Sequence, residues 1–296
     1  MKMQDAIELL ASRSINSPEL FNSSISAIRE ETLDSFISTQ FTGGNVSEVE
    51  VEVSSDMLAR LFERIRQQWI AVGNREPYVS VLADEKYSLA TIDENLQEFR
   101  ESGVMGIRQL QQLASKNGVQ IHYGSCMELG CGVGRLTAHL AQNFHHMIAA
   151  DISTSNMAVC RAYMQELNLN NVDLRLMSEI TELQAIGEFD AFVSFIAIQH
   201  NPPPIQKYIL DTLLAKLRPG GVFLFQTIVN APGYVYSAEG NFRYREGLDY
   251  EMHCLPMQHV LRAIERHGLT LLDVLKDRQG GWGIDSFTFF GFKRGA

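Results

Sequence analysis

The segment that most constrains this chain is residues 125–151, SCMELGCGVGRLTAHLAQNFHHMIAAD. A short apolar run at its start predicts a strand, a glycine-rich turn follows, and apolar residues at helical spacing predict a helix over residues 135–143. A second apolar run, residues 147–150, ends in Asp151, 17 residues after the last glycine of the turn. We therefore expect a βαβ unit with an acid at the tip of its second strand.

The composition of this unit predicts nucleoside binding. Glycines let the backbone approach a ligand closely, and an acid at the end of the second strand can accept both ribose hydroxyls. The glycines run G-x-G-x-G, whereas the dinucleotide fingerprint is G-x-G-x-x-G with a helix N-terminus that receives a pyrophosphate. Glu128, just before the turn, would repel a pyrophosphate and suits a ligand that carries a sulfonium and an α-ammonium group. The spacing thus disfavours a nicotinamide dehydrogenase.

ELGCGVGR followed by Asp151 resembles motif I and the ribose-binding acid of the class I S-adenosylmethionine-dependent methyltransferases, and the resemblance covers residues 120–295. It implies an α/β fold: a doubly wound seven-stranded sheet that ends in an antiparallel hairpin. The implied cofactor is S-adenosylmethionine, and the implied reaction is methyl transfer to an oxygen or nitrogen of a small molecule. We expect a helical N-terminal extension over residues 1–118 and the methyltransferase domain over residues 119–296.

The resemblance also implies the cofactor site. Glu128 would hold the charged end of the cofactor, the glycine turn its amino-acid portion and ribose, Asp151 the ribose hydroxyls, and Glu179 the adenine. Glu179 could instead be a charge that interacts with a helix dipole. The full predicted set is Glu128, Gly130, Cys131, Gly132, Gly134, Asp151, Ile152, Ser178, Glu179, Ile180 and Phe195.

His200 is the catalytic candidate. It ends an apolar run, residues 189–200, of the kind expected for a central parallel strand, and ligands in such sheets bind at the carboxyl ends of the strands. An imidazole that titrates near neutrality can take a proton from a hydroxyl as the methyl group leaves sulfur. The alternative, a histidine that fixes the following loop or lines the pocket, stays open.

Two segments are candidates for acceptor binding. Residues 69–82 contain Trp69 and Tyr78 and resemble a W-x-x-x-G…P-Y…S-V-L segment of methyltransferases from bacterial polysaccharide and glycoconjugate clusters, which implies a sugar or another secondary metabolite as acceptor. Both aromatic residues could instead pack the N-terminal region onto the main domain. The long connection over residues 230–255 is predicted to be an inserted lid. Its aromatic and basic residues suit a sugar, an aromatic ring or a carboxylate; those named as substrate candidates are Tyr234, Tyr236, Arg243 and His253.

The N-terminal region is predicted to be mostly helical. Helices are expected from Pro18 towards Gln40, over residues 57–71 and over residues 93–117, and the alternation of valine and glutamate over residues 46–53 predicts a surface strand. We expect these helices to form a cap or the contact of a homodimer.

Composition narrows the class of partner. The formal charge of −10 and pI near 5.3 argue against nucleic acid, because binding to phosphate backbones rests on clustered Lys and Arg. Four cysteines without a C-x-x-C pair indicate neither a metal site nor a disulfide framework. No apolar run reaches membrane-spanning length and the first residues lack a signal-peptide core, so we expect a cytoplasmic protein.

Two other functions stay open. One keeps the cofactor site and transfers a different group from an analogue of S-adenosylmethionine. The other is a protein that binds S-adenosylmethionine without catalysis and whose N-terminal helices serve assembly.

Overall fold

The computed structural model of the chain describes residues 48–243, 250–281 and 283–295. The helix predicted from Pro18 and a homodimer contact through it lie outside these residues, as does the side chain of Arg243.

A single mixed sheet of seven strands organises the described chain, in the order β3-β2-β1-β4-β5-β7-β6. Strands β1 to β5 pair in parallel, and β7 runs antiparallel to both β5 and β6. This order and its C-terminal hairpin confirm the predicted α/β fold. The strands are β1 Ser125–Leu129, β2 His146–Asp151, β3 Val172–Leu176, β4 Phe189–Ser194, β5 Leu217–Asn230, β6 Leu269–Asp277 and β7 Asp285–Lys293.

Helices cover both faces of the sheet. Their starts follow capping rules: the Ser54 hydroxyl accepts from the Met57 amide at 3.2 Å, and prolines occupy the first turn of the helix that begins at Pro203. None of the helices in the described residues has the length and hydropathy that crossing a bilayer requires. The helices are α1 Ser55–Arg75, α2 Ile92–Ser102, α3 Val104–Lys116, α4 Thr137–Ala141, α5 Thr154–Glu166, α6 Pro203–Ala215, α7 Ala238–Arg243 and α8 Met257–Arg266.

Two elements are shorter than predicted. Helix α4 is shorter than the predicted 135–143, because the turn continues through Leu136 before the helix begins. The apolar run 189–200 is also not one strand, since β4 ends at Ser194 and a 3-10 helix forms at Ile198–His200.

The chain leaves β4 through an unusual backbone position. Ile196 has φ +53°, a conformation that costs a β-branched residue roughly 1–2 kcal/mol. Its amide donates to Oε1 of the buried Gln226 at 3.1 Å. The spacing of apolar residues over 189–200 indicates burial, but it cannot show where a buried strand ends.

The N-terminal segments share the main hydrophobic core. Leu61 and Phe62 of α1 belong to the same buried cluster as Phe192 and Phe225 of the sheet. Over residues 48–53 the valines are half-buried and the glutamates exposed, as the alternation predicted, although only Val49 forms a bridge, to Tyr236.

Candidate functional site

A cavity lies at the carboxyl ends of β1, β2 and β4, with α1 and a roof segment, residues 76–82, on its other side. It encloses about 1000 Å³ of empty space, part of it open to solvent. Its wall is mostly apolar with a few converging polar groups, which is the usual composition of a small-molecule site.

The glycine turn forms the floor of the cavity. Gly130 and Gly132 have φ +78° and +54°, which glycine alone adopts readily. A Cβ on Gly130 would lie 2.2 Å from Cβ of Ala197, and one on Gly132 would lie 2.6 Å from Cγ2 of Val81 in the roof segment. The turn is therefore a backbone surface closely enclosed from two sides.

Asp151 stands at the tip of β2, beside this turn. Its Oδ2 accepts from the Gly132 amide and its Oδ1 from the Ser153 amide, both at 2.8 Å. Burial raises the pKa of Asp151 above its usual value, against the lowering effect of these amide bonds. An ionised carboxylate offers about four lone-pair sites, more than the amides of Gly132, Ser153 and Ile152 use, so capacity for a ribose hydroxyl remains.

Glu128 and Arg135 place opposite charges on the same cavity wall. Glu128 is 3% exposed, and its Oε2 accepts from the Thr137 hydroxyl at 2.7 Å. Burial raises the pKa of Glu128 to about 7, opposed by the Thr137 bond and the charge of Arg135. Arg135 is 4% exposed and donates from Nη1 to Ser102 at 3.2 Å, while its buried Nε has no partner among the described residues. These two groups match a zwitterionic α-amino acid, such as the amino-acid end of S-adenosylmethionine.

His200 lies in the wall of the cavity, buried and with its ring centroid 5.0 Å from that of Trp69. Nδ1 is 2.7 Å from the carbonyl oxygen of Glu251. Since a carbonyl only accepts, Nδ1 carries the proton and Nε2 of the neutral ring is an acceptor. Burial lowers the pKa of His200 to about 4, reinforced by His253 and opposed by the Glu251 bond. His200 is therefore neutral at pH 7.

The cavity brings together most of the predicted site residues. Those that line it are Trp69, Glu128, Gly130, Cys131, Gly132, Asp151, Ile152, Ile180, Phe195 and His200. Three predicted cofactor residues do not line it. A Cβ on Gly134 would meet the sulfur of Cys160 at 2.8 Å, so this glycine serves helix packing, and Ser178 and Glu179 are exposed, with Glu179 3.3 Å from the Thr181 hydroxyl.

The other predicted substrate residues whose side chains are described also lie outside the cavity lining. Tyr78 packs edge-on against Phe99 at 5.3 Å. His253 is fully buried, with Nδ1 2.8 Å from the Tyr234 hydroxyl and its ring perpendicular to that of Tyr236 at 5.4 Å.

The lining also includes residues that the sequence analysis did not assign. Arg135 directly follows the glycine turn in ELGCGVGR, and that position was the available signal. Asn156 of α5 donates to the Ser80 hydroxyl at 3.0 Å, which ties the roof segment to the sheet domain. Nothing in the sequence marked Phe62 of α1 as a lining residue beyond its place on an amphipathic helix.

Comparisons with known proteins agree with this geometry. Residues 126–221 match the family model described as "Methyltransferase domain". The chain is 27% identical over 117 residues to a ubiquinone biosynthesis O-methyltransferase of Acinetobacter baumannii (strain AYE), covering 38% of this chain and 48% of that protein. It is 32% identical over 134 residues to a trans-aconitate 2-methyltransferase of Deinococcus radiodurans, covering 45% and 47%. The matches thus span about half the length of these relatives.

Among solved structures, the [4+2]-cyclase SpnF superposes with a TM-score of 0.50 at 13% identity, covering 85% of this chain and 100% of that one. This likeness concerns the fold alone. The matched domain and the strand order together confirm the predicted family and cofactor. Residues 126–221 thus carry a methyltransferase domain, within the seven-stranded sheet and C-terminal antiparallel hairpin that the resemblance to the class I S-adenosylmethionine-dependent methyltransferases implied.

Proposed function

We propose that this protein transfers a methyl group from S-adenosylmethionine to an oxygen, or alternatively a nitrogen, of a small-molecule acceptor that sits against His200. The observation that carries this proposal is the tautomer of His200: with Nδ1 donating to the Glu251 carbonyl, a ring nitrogen with a lone pair stands at the cavity wall. Such a nitrogen accepts a hydrogen bond from the acceptor's O–H or N–H and orients it.

The remaining lining residues hold the cofactor. When bound, S-adenosylmethionine supplies a methyl group on a positively charged sulfur. Asp151 accepts from the ribose hydroxyls, Glu128 pairs with the α-ammonium group and Arg135 with the carboxylate. The adenine rests on the apolar wall of Ile152 and Ile180, with Ser178 and Glu179 at its exposed edge.

His200 contributes chiefly by positioning. A base whose conjugate acid has a pKa of about 4 is a weak proton acceptor, so it favours an acceptor with an acidic hydroxyl over a simple alcohol. Alignment of nucleophile and methyl group supplies most of the rate. Oxygen as nucleophile is supported by the similarity to a relative named as an O-methyltransferase. The proposed acceptors include a sugar hydroxyl and other secondary metabolites.

The test begins with calorimetric titration using S-adenosylmethionine, S-adenosylhomocysteine and NAD. We expect micromolar binding of the two adenosyl ligands and none of NAD, with affinity at least about tenfold lower in Asp151→Ala, the loss of a charged hydrogen-bond pair. An acceptor screen then measures S-adenosylhomocysteine formation with phenols, sugars, nucleotide sugars, carboxylic acids and amines.

Once an acceptor is known, His200→Gln should keep the affinity for S-adenosylhomocysteine within about twofold and lower kcat at least about tenfold, because the acceptor loses the hydrogen bond that aligns it. A wild-type kcat would eliminate the role of His200. Tight cofactor binding without turnover of any acceptor would favour the assembly protein.

A further inference from the structure

A buried ion pair joins α1 to the closing segment, which we define as residues 250–255. Nη2 of Arg64 donates to Oε2 of Glu251 at 2.8 Å, and Nη1 contacts the other carboxylate oxygen. The Glu251 side chain is 2% exposed. Two parallel contacts between a guanidinium and a carboxylate fix the relative orientation of both groups, so the pair holds Glu251 in one position.

A third group completes the arrangement. Nε2 of His253 is 2.9 Å from Oε2 of Glu251, and Nδ1 of the same ring is 2.8 Å from the Tyr234 hydroxyl. Burial raises the pKa of Glu251, but the bonds from Arg64 and His253 outweigh it and lower the pKa to about 2. The carboxylate is therefore charged at every pH at which an enzyme of this kind would work.

The same residue reaches the candidate catalytic group through its backbone. The Glu251 carbonyl accepts from Nδ1 of His200, whereas the other backbone bonds of the closing segment lie further along, from the His253 amide to Gln199 at 2.8 Å and from the Leu255 amide to Ile228 at 3.0 Å. The ion pair therefore anchors to α1 the same residue whose carbonyl contacts His200, and so helps to hold that carbonyl in place.

We propose that Arg64 and Glu251 are positioning residues for His200: their ion pair holds the Glu251 carbonyl where it fixes the His200 tautomer that presents Nε2 as an acceptor to the cavity. The inference rests on the proposed function of His200. Without the pair the carbonyl shifts, and the ring populates the other neutral tautomer, in which Nε2 carries the proton and cannot accept one from the acceptor. Two titratable residues of the closing segment act on His200: Glu251, through its carbonyl, and His253, through its charge.

The test reads the tautomer directly and needs no acceptor. Long-range ¹H–¹⁵N correlation spectra of the full chain, saturated with S-adenosylhomocysteine at pH 7, distinguish the two neutral tautomers of each histidine, and His200→Gln assigns the His200 signals by their loss. We expect the wild type to show Nδ1–H only. Arg64→Met should show at least about one third of the Nε2–H form, and Arg64→Lys, which keeps the charge, should recover most of the wild-type pattern.

A matched control lies one half-turn away on the same helix. Arg66 pairs with Glu63, whose side chain is 50% exposed, and Arg66→Met should leave the His200 tautomer unchanged. Because Arg64→Met leaves a buried carboxylate short of its partner and could fail to fold, the double variant Arg64→Met/Glu251→Gln removes that charge as well. A wild-type tautomer in either folded variant overturns the proposal.

The outcomes separate this inference from the proposed function. A tautomer that responds to Arg64→Met, together with wild-type turnover in His200→Gln, would support the positioning pair and reject the role of His200. An unchanged tautomer in Arg64→Met, together with lost turnover in His200→Gln, would keep the role of His200 and reject the pair. Once an acceptor is known, Arg64→Met should lower kcat while leaving KM for the cofactor within about twofold, a split that a general loss of stability would not produce.

Discussion

Two buried glutamates, each with an arginine nearby, differ in how far the protein satisfies their charge: Glu128 lines the cavity, whereas Glu251 contacts His200, which lines it. Glu251 and Arg64 contact each other through two nitrogens and two oxygens, and the pKa of Glu251 falls to about 2. Glu128 and Arg135 each bond to a hydroxyl, Thr137 and Ser102, and no direct pair between them occurs among the described contacts.

The pKa values follow from the number of protein partners. Burial raises the pKa of Glu128 to about 7, because one hydroxyl and a more distant charge do not offset the loss of water. In the Glu251 and Arg64 pair, the fold itself supplies oppositely charged partners. Glu128 and Arg135 instead keep hydrogen-bonding capacity for a ligand.

The largest expected effect is on stability when the satisfied pair is broken. Arg64→Met should lower the free energy of unfolding by about 3–5 kcal/mol, because it leaves the buried Glu251 carboxylate without its arginine partner. Urea denaturation at pH 7 measures this, with Arg66→Met as the control that should change stability by less than about 1 kcal/mol. Equal losses in both variants would mean that the two ion pairs are equivalent.

A second prediction concerns the pH range over which Glu251 stabilises the fold. Its folded-state pKa lies below the usual 4.5, so its contribution is present above about pH 5 and disappears as the pH falls towards 2. The gap in unfolding free energy between the wild type and Glu251→Gln should be on the order of 3 kcal/mol at pH 7 and should narrow steadily towards pH 3. Denaturant titrations across this range test it, and a gap independent of pH would contradict it.

Glu128 should titrate in a higher pH range than Glu251, and its titration should appear in ligand binding. With a pKa near 7, it is protonated below neutrality and then cannot pair with an ammonium group. We expect the affinity for S-adenosylhomocysteine to fall by roughly fivefold to tenfold between pH 8 and pH 6, and Glu128→Gln to be weaker by about tenfold at pH 8 with little pH dependence. Calorimetry at several pH values decides this. A pH-dependent affinity in Glu128→Gln would assign the titration to another group.

The smallest effect concerns the support of Arg135. Ser102→Ala removes the bond to Nη1 and should weaken S-adenosylhomocysteine binding by about twofold to fivefold, a fraction of one hydrogen bond to a charged group. Arg135→Met should weaken it by more than Ser102→Ala does. If the two variants bind equally well, the guanidinium does not face the ligand.

The sequence alone determined the cofactor half of the cavity, because its residues are local. The strand, glycine turn and acid occur within residues 125–151, and strand periodicity with glycine spacing specifies such a unit without distant contacts. Resemblance to the methyltransferase family then supplied the seven-stranded sheet with its C-terminal antiparallel hairpin, which the structure shows.

Only the tertiary structure decided the surroundings of His200, which three distant segments build. Trp69 comes from α1, His200 follows β4, and Glu251 lies about 50 residues later. Periodicity marks a residue as buried but does not name its partner, so it predicted α1 as a helix and not Arg64 as the partner of Glu251. The same limit applies to pKa values. Whether burial raises the pKa of a glutamate to about 7, or hydrogen bonds lower it to about 2, depends on which donors the fold brings to the carboxylate.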